Sequence, residues 1–140
     1  MSDKNVQVVL DFLDAMSTSN VEKADRCVGP TGFTMAKGYG KFSGRRERET
    51  MVGTIAAFEK LMPGGLNISI KSVTAQDDRV VVEFEGDAKT VDGKAYQNQY
   101  CMVFRMENEQ IAQVNEYFCN IHADEVLWPL ISALENDASA

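Results

Sequence analysis

The second half of the chain is dominated by four long stretches in which apolar and polar residues alternate. These stretches span residues 66–75, 79–90, 96–106 and 111–120. The short turn segments between them lie at 76–78, 91–94 and 107–109. Strict alternation is typical of strands with one buried face, and short turns join strands that lie side by side. This half of the chain therefore predicts an antiparallel meander of four long strands.

The first half predicts helices instead. Apolar residues recur at helical spacing over residues 4–17 and 45–62, and Asn20 is placed to cap a shorter helix that ends near Val28. A turn at Gly29-Pro30-Thr31-Gly32 precedes one short strand at residues 33–36. This order indicates an α+β fold, in which three N-terminal helices pack on one face of a curved antiparallel sheet and enclose an apolar pocket.

The end of the chain is apolar again, at helical spacing around Pro129. The apolar residues there are Leu127, Leu130, Ile131 and Leu134. Two interpretations stay open, since this segment either closes one end of the pocket or docks on a second subunit. No repeat or linker divides the sequence, so we expect one domain over residues 1–134 and a flexible C-terminal tail over residues 135–140.

Composition argues against several classes of function. The formal net charge of −7 repels phosphate backbones, so no nucleic-acid partner is expected. No apolar stretch approaches the roughly 20 residues that cross a bilayer, and the first residues lack the pattern of a signal peptide. Three widely spaced cysteines and a single histidine are typical of reduced thiols without a metal site. We therefore expect a cytoplasmic protein that uses no metal or cofactor and no membrane.

Three polar residues interrupt strand faces that are otherwise apolar: Asn98, Tyr100 and Glu116. A carboxylate on such a face loses hydration, which raises its pKa toward neutrality. The pattern predicts Glu116 as a catalytic acid and base, with Asn98 and Tyr100 positioning the substrate. The same residues also fit a structural carboxylate and a satisfied hydrogen-bonded pair, and a register shift of one residue would turn Glu116 outward. The apolar walls of the predicted site are Phe84, Met102 and Phe118.

The glycine-rich segment Gly38-Tyr39-Gly40, followed by Gly44, imitates a dinucleotide-binding fingerprint. Its spacing is one residue too long and no βαβ unit surrounds it, so it predicts no nucleotide cofactor. Tyr39 is instead predicted to line the mouth of the pocket. The charged run at residues 45–49 is predicted to be the solvated start of the third helix.

Several segments have a familiar pattern. They are VVLDFLDAM at 8–16, VVVE at 80–83, DGKAYQNQY at 92–100 and NEYF at 115–118. Together they resemble the SnoaL-like and ketosteroid-isomerase-like group, and the resemblance spans residues 5–128. It implies the cone-shaped nuclear-transport-factor-2-like fold, usually a homodimer with a pocket between sheet and helices. The fold hosts many reactions, so it does not choose the chemistry.

The active residues of steroid isomerases are not matched in this chain. Those enzymes use a tyrosine in the first helix, a basic aspartate near the first strand and a protonated aspartate in the sheet. The corresponding places here hold Phe12, a residue near Ala36, and Met102. The resemblance therefore argues against a true ketosteroid isomerase.

Two other branches of the group are matched in part. Limonene-type epoxide hydrolases need an arginine and a second aspartate on the second long strand, and this strand supplies no arginine at those places. Polyketide cyclases place an acid–base carboxylate on the last strand, which corresponds to Glu116. Their pocket histidine has no convincing counterpart in His122, which the sequence places just past that strand.

The residues and the resemblance together favour a cofactor-independent enzyme of the isomerase, cyclase, dehydratase or hydrolase type. Its substrate would be a small lipophilic, oxygenated molecule. The alternative is a non-catalytic ligand-binding or dimeric assembly module of the same fold. The pKa of Glu116 separates the two, because a value well above about 4.3 favours proton transfer.

Overall fold

The computed structural model describes the backbone of residues 2–139 and the side chains of residues 3–134. Within that range the helices are α1 (Ser2–Thr18), α2 (Val21–Cys27), α3 (Arg48–Leu61), α4 (Asn120–Val126) and α5 (Trp128–Ser139). The strands are β1 (Val28–Ala36), β2 (Gly44–Glu47), β3 (Asn67–Gln76), β4 (Arg79–Lys89), β5 (Ala95–Glu107) and β6 (Gln110–Phe118). The side chains of the tail predicted from residue 135 lie outside the described ones, so its flexibility stays a prediction.

The strands form one curved, unclosed sheet in the order β2-β1-β6-β5-β4-β3. The antiparallel meander predicted from the second half is confirmed, because β3 to β6 pair in chain order. The predicted α+β fold, with helices on one face of a curved sheet, is confirmed, and the sheet is mixed because β1 runs parallel to β6. The two strands are far apart in the sequence, and the long intervening segment brings the chain back in the same direction.

Strand β1 is longer than the sequence indicated. The Gly-Pro segment at residues 29–32 was predicted to be a turn, but it lies inside β1 as an irregularity of the β1–β6 register. A Cβ atom at Gly32 would lie 2.5 Å from Cγ1 of Val28 and 2.8 Å from the carbonyl oxygen of Ile111. Only a residue without a side chain fits where β1 approaches β6 this closely.

The third helix also begins later than predicted. Residues 44–47 form strand β2, which pairs with the end of β1, and α3 starts at Arg48. The charged run at 45–49 was therefore only partly helical. Its local charge spacing suits a helix, but pairing with β1 decides the outcome, and that contact lies outside the local pattern.

The helices cover one face of the sheet, here called the inner face, which carries Val82, Phe104 and Val114. Alternate residues such as Glu83, Val103 and Asn115 lie on the outer face. The apolar stripe of α1, which includes Phe12 and Leu13, packs on the inner face and forms the main core. None of the described helices combines the length and apolarity needed to cross a membrane.

The last apolar segment begins at Leu127, directly after α4, and continues into α5, and both helices pack against the inner face near one end of the sheet. Leu127 and Ala123 join a second core cluster with Leu61, Met62 and Tyr96. Of the two interpretations that the sequence left open, the structure therefore supports the closing of one end of the inner space. The C-terminal helices add to the three N-terminal ones that were predicted.

Replacement of Gly32 by alanine should lower the free energy of unfolding by about 2 kcal/mol, because the new methyl group must push β1 away from β6. Urea denaturation measures the change. Gly53→Ala is the matched control, because Gly53 lies inside α3 and a Cβ atom added there would have no neighbouring atom within 4 Å. That control should gain up to about 1 kcal/mol from helix propensity. Equal midpoints for Gly32→Ala and the wild type would contradict this account of β1.

Candidate active site

A cavity of about 120 Å³ lies between the inner face of the sheet and α3, α4 and α5. Its sheet wall consists of Thr34, Ala36, Arg46, Tyr96, Tyr100, Met102, Glu116 and Phe118. Its other wall consists of Met16, Phe42, Met51, Thr54, Ile55, Phe58, Met62, Leu66, Ala123, Leu127 and Ile131. Most of these side chains are apolar, so the few polar groups are the ones that can orient a ligand or react with it.

Glu116 lies on the sheet wall of this cavity and is partly buried. Its neighbours across the strands are Met102 on β5 and Ala36 on β1, neither of which offers a side-chain hydrogen bond. Burial raises the pKa of Glu116 to about 7, and the nearby guanidinium of Arg46 opposes this rise. A carboxyl group with this pKa is present in both protonation states near neutral pH, as proton transfer requires.

A chain of hydrogen bonds ends at the hydroxyl of Tyr100 on the same wall. The Nδ2 atom of Asn98 donates to the Tyr96 hydroxyl at 2.9 Å, and the two tyrosine hydroxyls lie 2.7 Å apart. When the Tyr96 hydroxyl donates its hydrogen bond to the Tyr100 oxygen, the Tyr100 hydroxyl can donate its own hydrogen bond to a ligand. Burial raises the pKa of Tyr100 well above its ordinary value, so this hydroxyl is a donor and not a base.

Asn98 itself does not line the cavity. Besides Tyr96, its Nδ2 atom donates to the carbonyl oxygen of Cys119 at 3.1 Å. Its Oδ1 atom accepts from the backbone N–H groups of Gln99 at 2.8 Å and Cys119 at 2.9 Å. Every polar atom of this buried amide therefore has a partner within the protein. The structure places Asn98 behind the site, where it holds Tyr96.

The remaining predicted residues are divided between the wall and its surroundings. Met102 and Phe118 line the cavity. Phe84 is buried behind the wall, where its ring stacks on Tyr100 with centroids 4.8 Å apart. Tyr39 is fully exposed and does not lie on the wall. The structure thus brings together Glu116, Tyr100, Met102 and Phe118, while the roles assigned to all seven residues stay predictions.

His122, for which the sequence assigned no role, lies behind Tyr96. The two rings stack with centroids 5.4 Å apart and an interplanar angle of 4°. The Nε2 atom of His122 accepts a hydrogen bond from the backbone N–H of Gln97 at 3.3 Å. This acceptor role places the proton of the neutral ring on Nδ1. His122 supports the tyrosine and does not line the cavity.

Sequence reasoning missed Arg46 and Thr34, which lie opposite each other on β2 and β1 and both line the cavity. Thr34 is buried, and Arg46 is partly buried. The sequence offered no signal for Arg46, because residues 44–47 (Gly-Arg-Arg-Glu) show no apolar–polar alternation and their charge spacing suits a helix. Once β2 has formed, Gly44 and Arg46 share one face and Arg45 and Glu47 share the other.

The family profile described as a SnoaL-like domain matches residues 9–114, about three quarters of the chain. The chain belongs to the SnoaL-like domain family. The profile match confirms the family resemblance inferred from the sequence. A search of curated proteins finds no match to this SnoaL-like sequence.

Solved structures share the fold of this SnoaL-like domain at low sequence identity. A protein of unknown function from Burkholderia pseudomallei, described as NTF2-like (nuclear-transport-factor-2-like), has a TM-score of 0.75 at 13% identity and covers 89% of this chain and 97% of its own. A candidate SnoaL-like polyketide cyclase from Jannaschia sp. CCS1 has a TM-score of 0.75 at 14% identity, with 89% and 92% covered. An LEH-like epoxide hydrolase from M. tuberculosis has a TM-score of 0.71 at 17% identity, with 96% and 97% covered. These similarities establish the cone fold and leave the reaction open.

The pKa of Glu116 makes a prediction about stability. The folded state holds this proton up to a pH of about 7, whereas the ordinary value for glutamate is 4.5, so the wild type loses stability as the pH rises between these values. Glu116→Gln removes that loss. The variant should unfold like the wild type at acidic pH and gain about 3 kcal/mol above neutrality.

Urea denaturation over this pH range measures the effect. Glu83→Gln is the control for the removal of one carboxylate, because Glu83 is exposed on the outer face. A constant difference between Glu116→Gln and the wild type at all pH values would show that the carboxyl group is not desolvated.

Proposed function

We propose that this SnoaL-like protein is a cofactor-independent enzyme in which Glu116 transfers protons on a small lipophilic, oxygenated substrate. The observation that carries the proposal is a partly buried carboxyl group on the wall of a mostly apolar cavity, where burial raises its pKa to about 7. Structural carboxylates are normally paired or exposed, and this one has neither an ion pair nor a side-chain hydrogen bond among the described residues.

Glu116 acts first as the base and then as the acid. The ionised carboxylate removes a proton from the substrate, and the resulting carboxylic acid returns it at another atom or to a leaving oxygen. Both steps are accessible at neutral pH because neither protonation state is strongly disfavoured there. The walls around the carboxyl group are mostly apolar, so electrostatic contacts within the cavity are stronger than in bulk water.

Tyr100 supplies the hydrogen bond that stabilises negative charge on the substrate oxygen. Its hydroxyl lies on the same sheet wall, on the strand that pairs with β6, diagonally across from Glu116. With the Tyr96 hydroxyl donating to the Tyr100 oxygen, the hydrogen-bond chain that starts at Asn98 leaves the Tyr100 proton for the substrate. A donor that is aligned before the reaction costs no reorganisation when charge develops on the substrate oxygen.

The proposal covers isomerisation, cyclisation, dehydration and epoxide opening, all of which need one proton carrier and one donor. The epoxide hydrolase from M. tuberculosis shares the fold. On β4 the corresponding inner positions of this chain are Phe84 and Gly86, and the strand lacks an arginine there. We therefore place the reaction nearer to the isomerase and cyclase types, in which a single carboxylate moves the proton.

Turnover should depend on the ionised form of Glu116. In a screen of small enones, diketones and epoxides by mass spectrometry, kcat/KM for any converted substrate should rise with pH and level off above about 7. Glu116→Gln should lower kcat at least about a hundredfold while leaving ligand affinity within a few-fold. Glu83→Gln, on the outer face, is the matched control and should retain full rate.

Wild-type turnover in Glu116→Gln would sink the mechanism. A direct measurement on the same residue is the titration of its side-chain carboxyl carbon by NMR. A pKa near the ordinary 4.5, together with no conversion in the screen, would support the alternative of a ligand-binding module without chemistry.

We further propose that the protein forms a homodimer through the outer face of the sheet. That face carries Phe33, Met35, Val103 and Tyr117, and 46% of the surface of Tyr117 is exposed. The described helices pack on the other face, so none of them covers these side chains. An apolar centre on an open sheet face suits contact with a second sheet.

Light scattering coupled to size exclusion should give twice the mass of 15.5 kDa for the wild type. Tyr117→Lys should shift the protein toward the monomer, because it places a charge within the contact. Ile121→Lys is the control, since Ile121 is 73% exposed but lies on α4. A monomeric wild type, or a Tyr117→Lys variant with unchanged mass, would contradict the proposed interface.

A further inference from the structure

Arg46 is the cationic side chain on the cavity wall, and it has no counter-ion in the described part of the chain. Its neighbours in the charged run are both paired: Arg45 with Glu47 on the outer face, and Arg48 with Asp25 at 2.8 Å. Arg46 takes part in none of the ion pairs or side-chain hydrogen bonds formed among the described residues. It turns instead toward Thr34 and the cavity.

An unpaired guanidinium against apolar side chains is costly, because it loses hydration without gaining a partner. Glu116 does not supply that partner: no ion pair joins the two side chains, and although Arg46 opposes the rise in the pKa of Glu116, burial is the larger effect and favours the neutral carboxyl. A guanidinium offers a planar fork of N–H donors that matches a carboxylate in a bidentate arrangement. Arg46 is thus prepared to bind an anionic oxygen pair that the protein itself does not provide.

We propose that Arg46 is the receptor for a carboxylate group on the ligand, so that the substrates are small lipophilic monocarboxylates. This inference rests on the proposed function for the assignment of the cavity as the site, but binding at Arg46 does not require turnover. The carboxylate of the ligand meets Arg46 on β2, and its apolar part lies against Ile55 and Phe58 of α3.

The position of Arg46 in the sheet separates binding from chemistry. Arg46 lies two strands from Glu116, with β1 between them, and adjacent strands are about 4.8 Å apart. The ligand carboxylate is therefore held at one edge of the wall, while the rest of the molecule extends toward Glu116 and Tyr100. This arrangement leaves Glu116 free to react with a carbon or oxygen beyond the carboxylate.

Binding of an anion in this cavity must also respond to pH. The titratable groups on the wall are Arg46 from β2, Tyr96 and Tyr100 from β5 and Glu116 from β6, whereas the wall residues of α3, α4 and α5 carry no charge. Of these groups, Glu116 is the one that changes charge near neutrality. An ionised Glu116 repels the ligand, so affinity for a carboxylate falls as the pH rises through about 7.

Benzoate and its neutral isostere benzamide test the proposal. Both are titrated into the full-length protein, and the methyl signals of Ile55 and Ile131, which line the cavity, report binding by NMR. Below the pKa of Glu116 the wild type should bind benzoate about tenfold more tightly than benzamide, as expected for one charge-assisted contact. Arg46→Gln should abolish this preference and leave benzamide binding unchanged. Arg46→Lys should retain only part of it, because an ammonium group cannot bind bidentately.

Arg45→Gln is the matched control, since Arg45 precedes Arg46 on β2 but lies over the Phe33 ring on the outer face. It should keep the full preference for benzoate, and thermal unfolding of each variant verifies that β2 is intact. The proposal is overturned if benzoate causes no saturable shift of the cavity methyl signals up to its solubility limit. It is equally overturned if the wild type binds both compounds alike, or if Arg46→Gln keeps the preference.

Glu116→Gln separates this inference from the proposed function. The variant should keep the Arg46-dependent preference for benzoate but lose its decline with rising pH, because residue 116 no longer ionises. If turnover survives in Glu116→Gln while the preference still depends on Arg46, the proton-transfer mechanism fails and the carboxylate receptor stands. If turnover is lost in Glu116→Gln but Arg46→Gln binds benzoate normally, the receptor fails and the mechanism stands.

Discussion

The register of the β4–β5–β6 meander determines which side chains of this protein meet. Because side chains alternate along a strand, the pairing of Met102 with Glu116 and of Tyr100 with Phe118 places all four on the inner face. A shift of one residue in β6 would move Glu116 to the outer face and bring its neighbour Tyr117 inside. The burial of apolar residues such as Val114, on the same face as Glu116, opposes that shift. The hydrophobic core thus holds a carboxyl group in a place that its hydration alone would disfavour.

The parts of the fold that the sequence predicted are those in which neighbours in the chain are neighbours in space. The meander and α1 follow from local periodicity, and both are present with bounds that differ by one or two residues for most ends. β2 and the parallel pairing of β1 with β6 depend on contacts between distant segments. No local pattern in residues 44–49 distinguishes a helix start from a short strand that pairs with β1, and the charge spacing favours the wrong answer.

The site divides in the same way. Glu116, Tyr100, Met102 and Phe118 were predicted because each lies on a strand with clear alternation, and the structure places all four on one wall. Asn98 satisfied the same criterion and yet lies behind the wall, because its amide is used up by Tyr96 and by the backbone of Gln99 and Cys119. A polar residue on an apolar strand face either contacts a ligand or forms hydrogen bonds within the protein. Only the positions of its hydrogen-bond partners distinguish these two roles. Arg46 was not predicted as a site residue because β2, the strand on which it lies, was not predicted either.

The hydrogen bonds of the Asn98 amide influence how the cavity accommodates ligands. The same amide holds both backbone groups of Cys119, the residue directly before α4, and the hydroxyl of Tyr96. These hydrogen bonds therefore fix the position of the Tyr96 hydroxyl relative to the backbone at the start of α4, at the closed end of the cavity. Adaptation to ligands of different shape falls to the opposite wall, where Met51 and Met62 bring unbranched, easily rearranged side chains. The sheet wall thus holds the reacting groups in fixed positions, while the helical wall adjusts to the shape of the ligand.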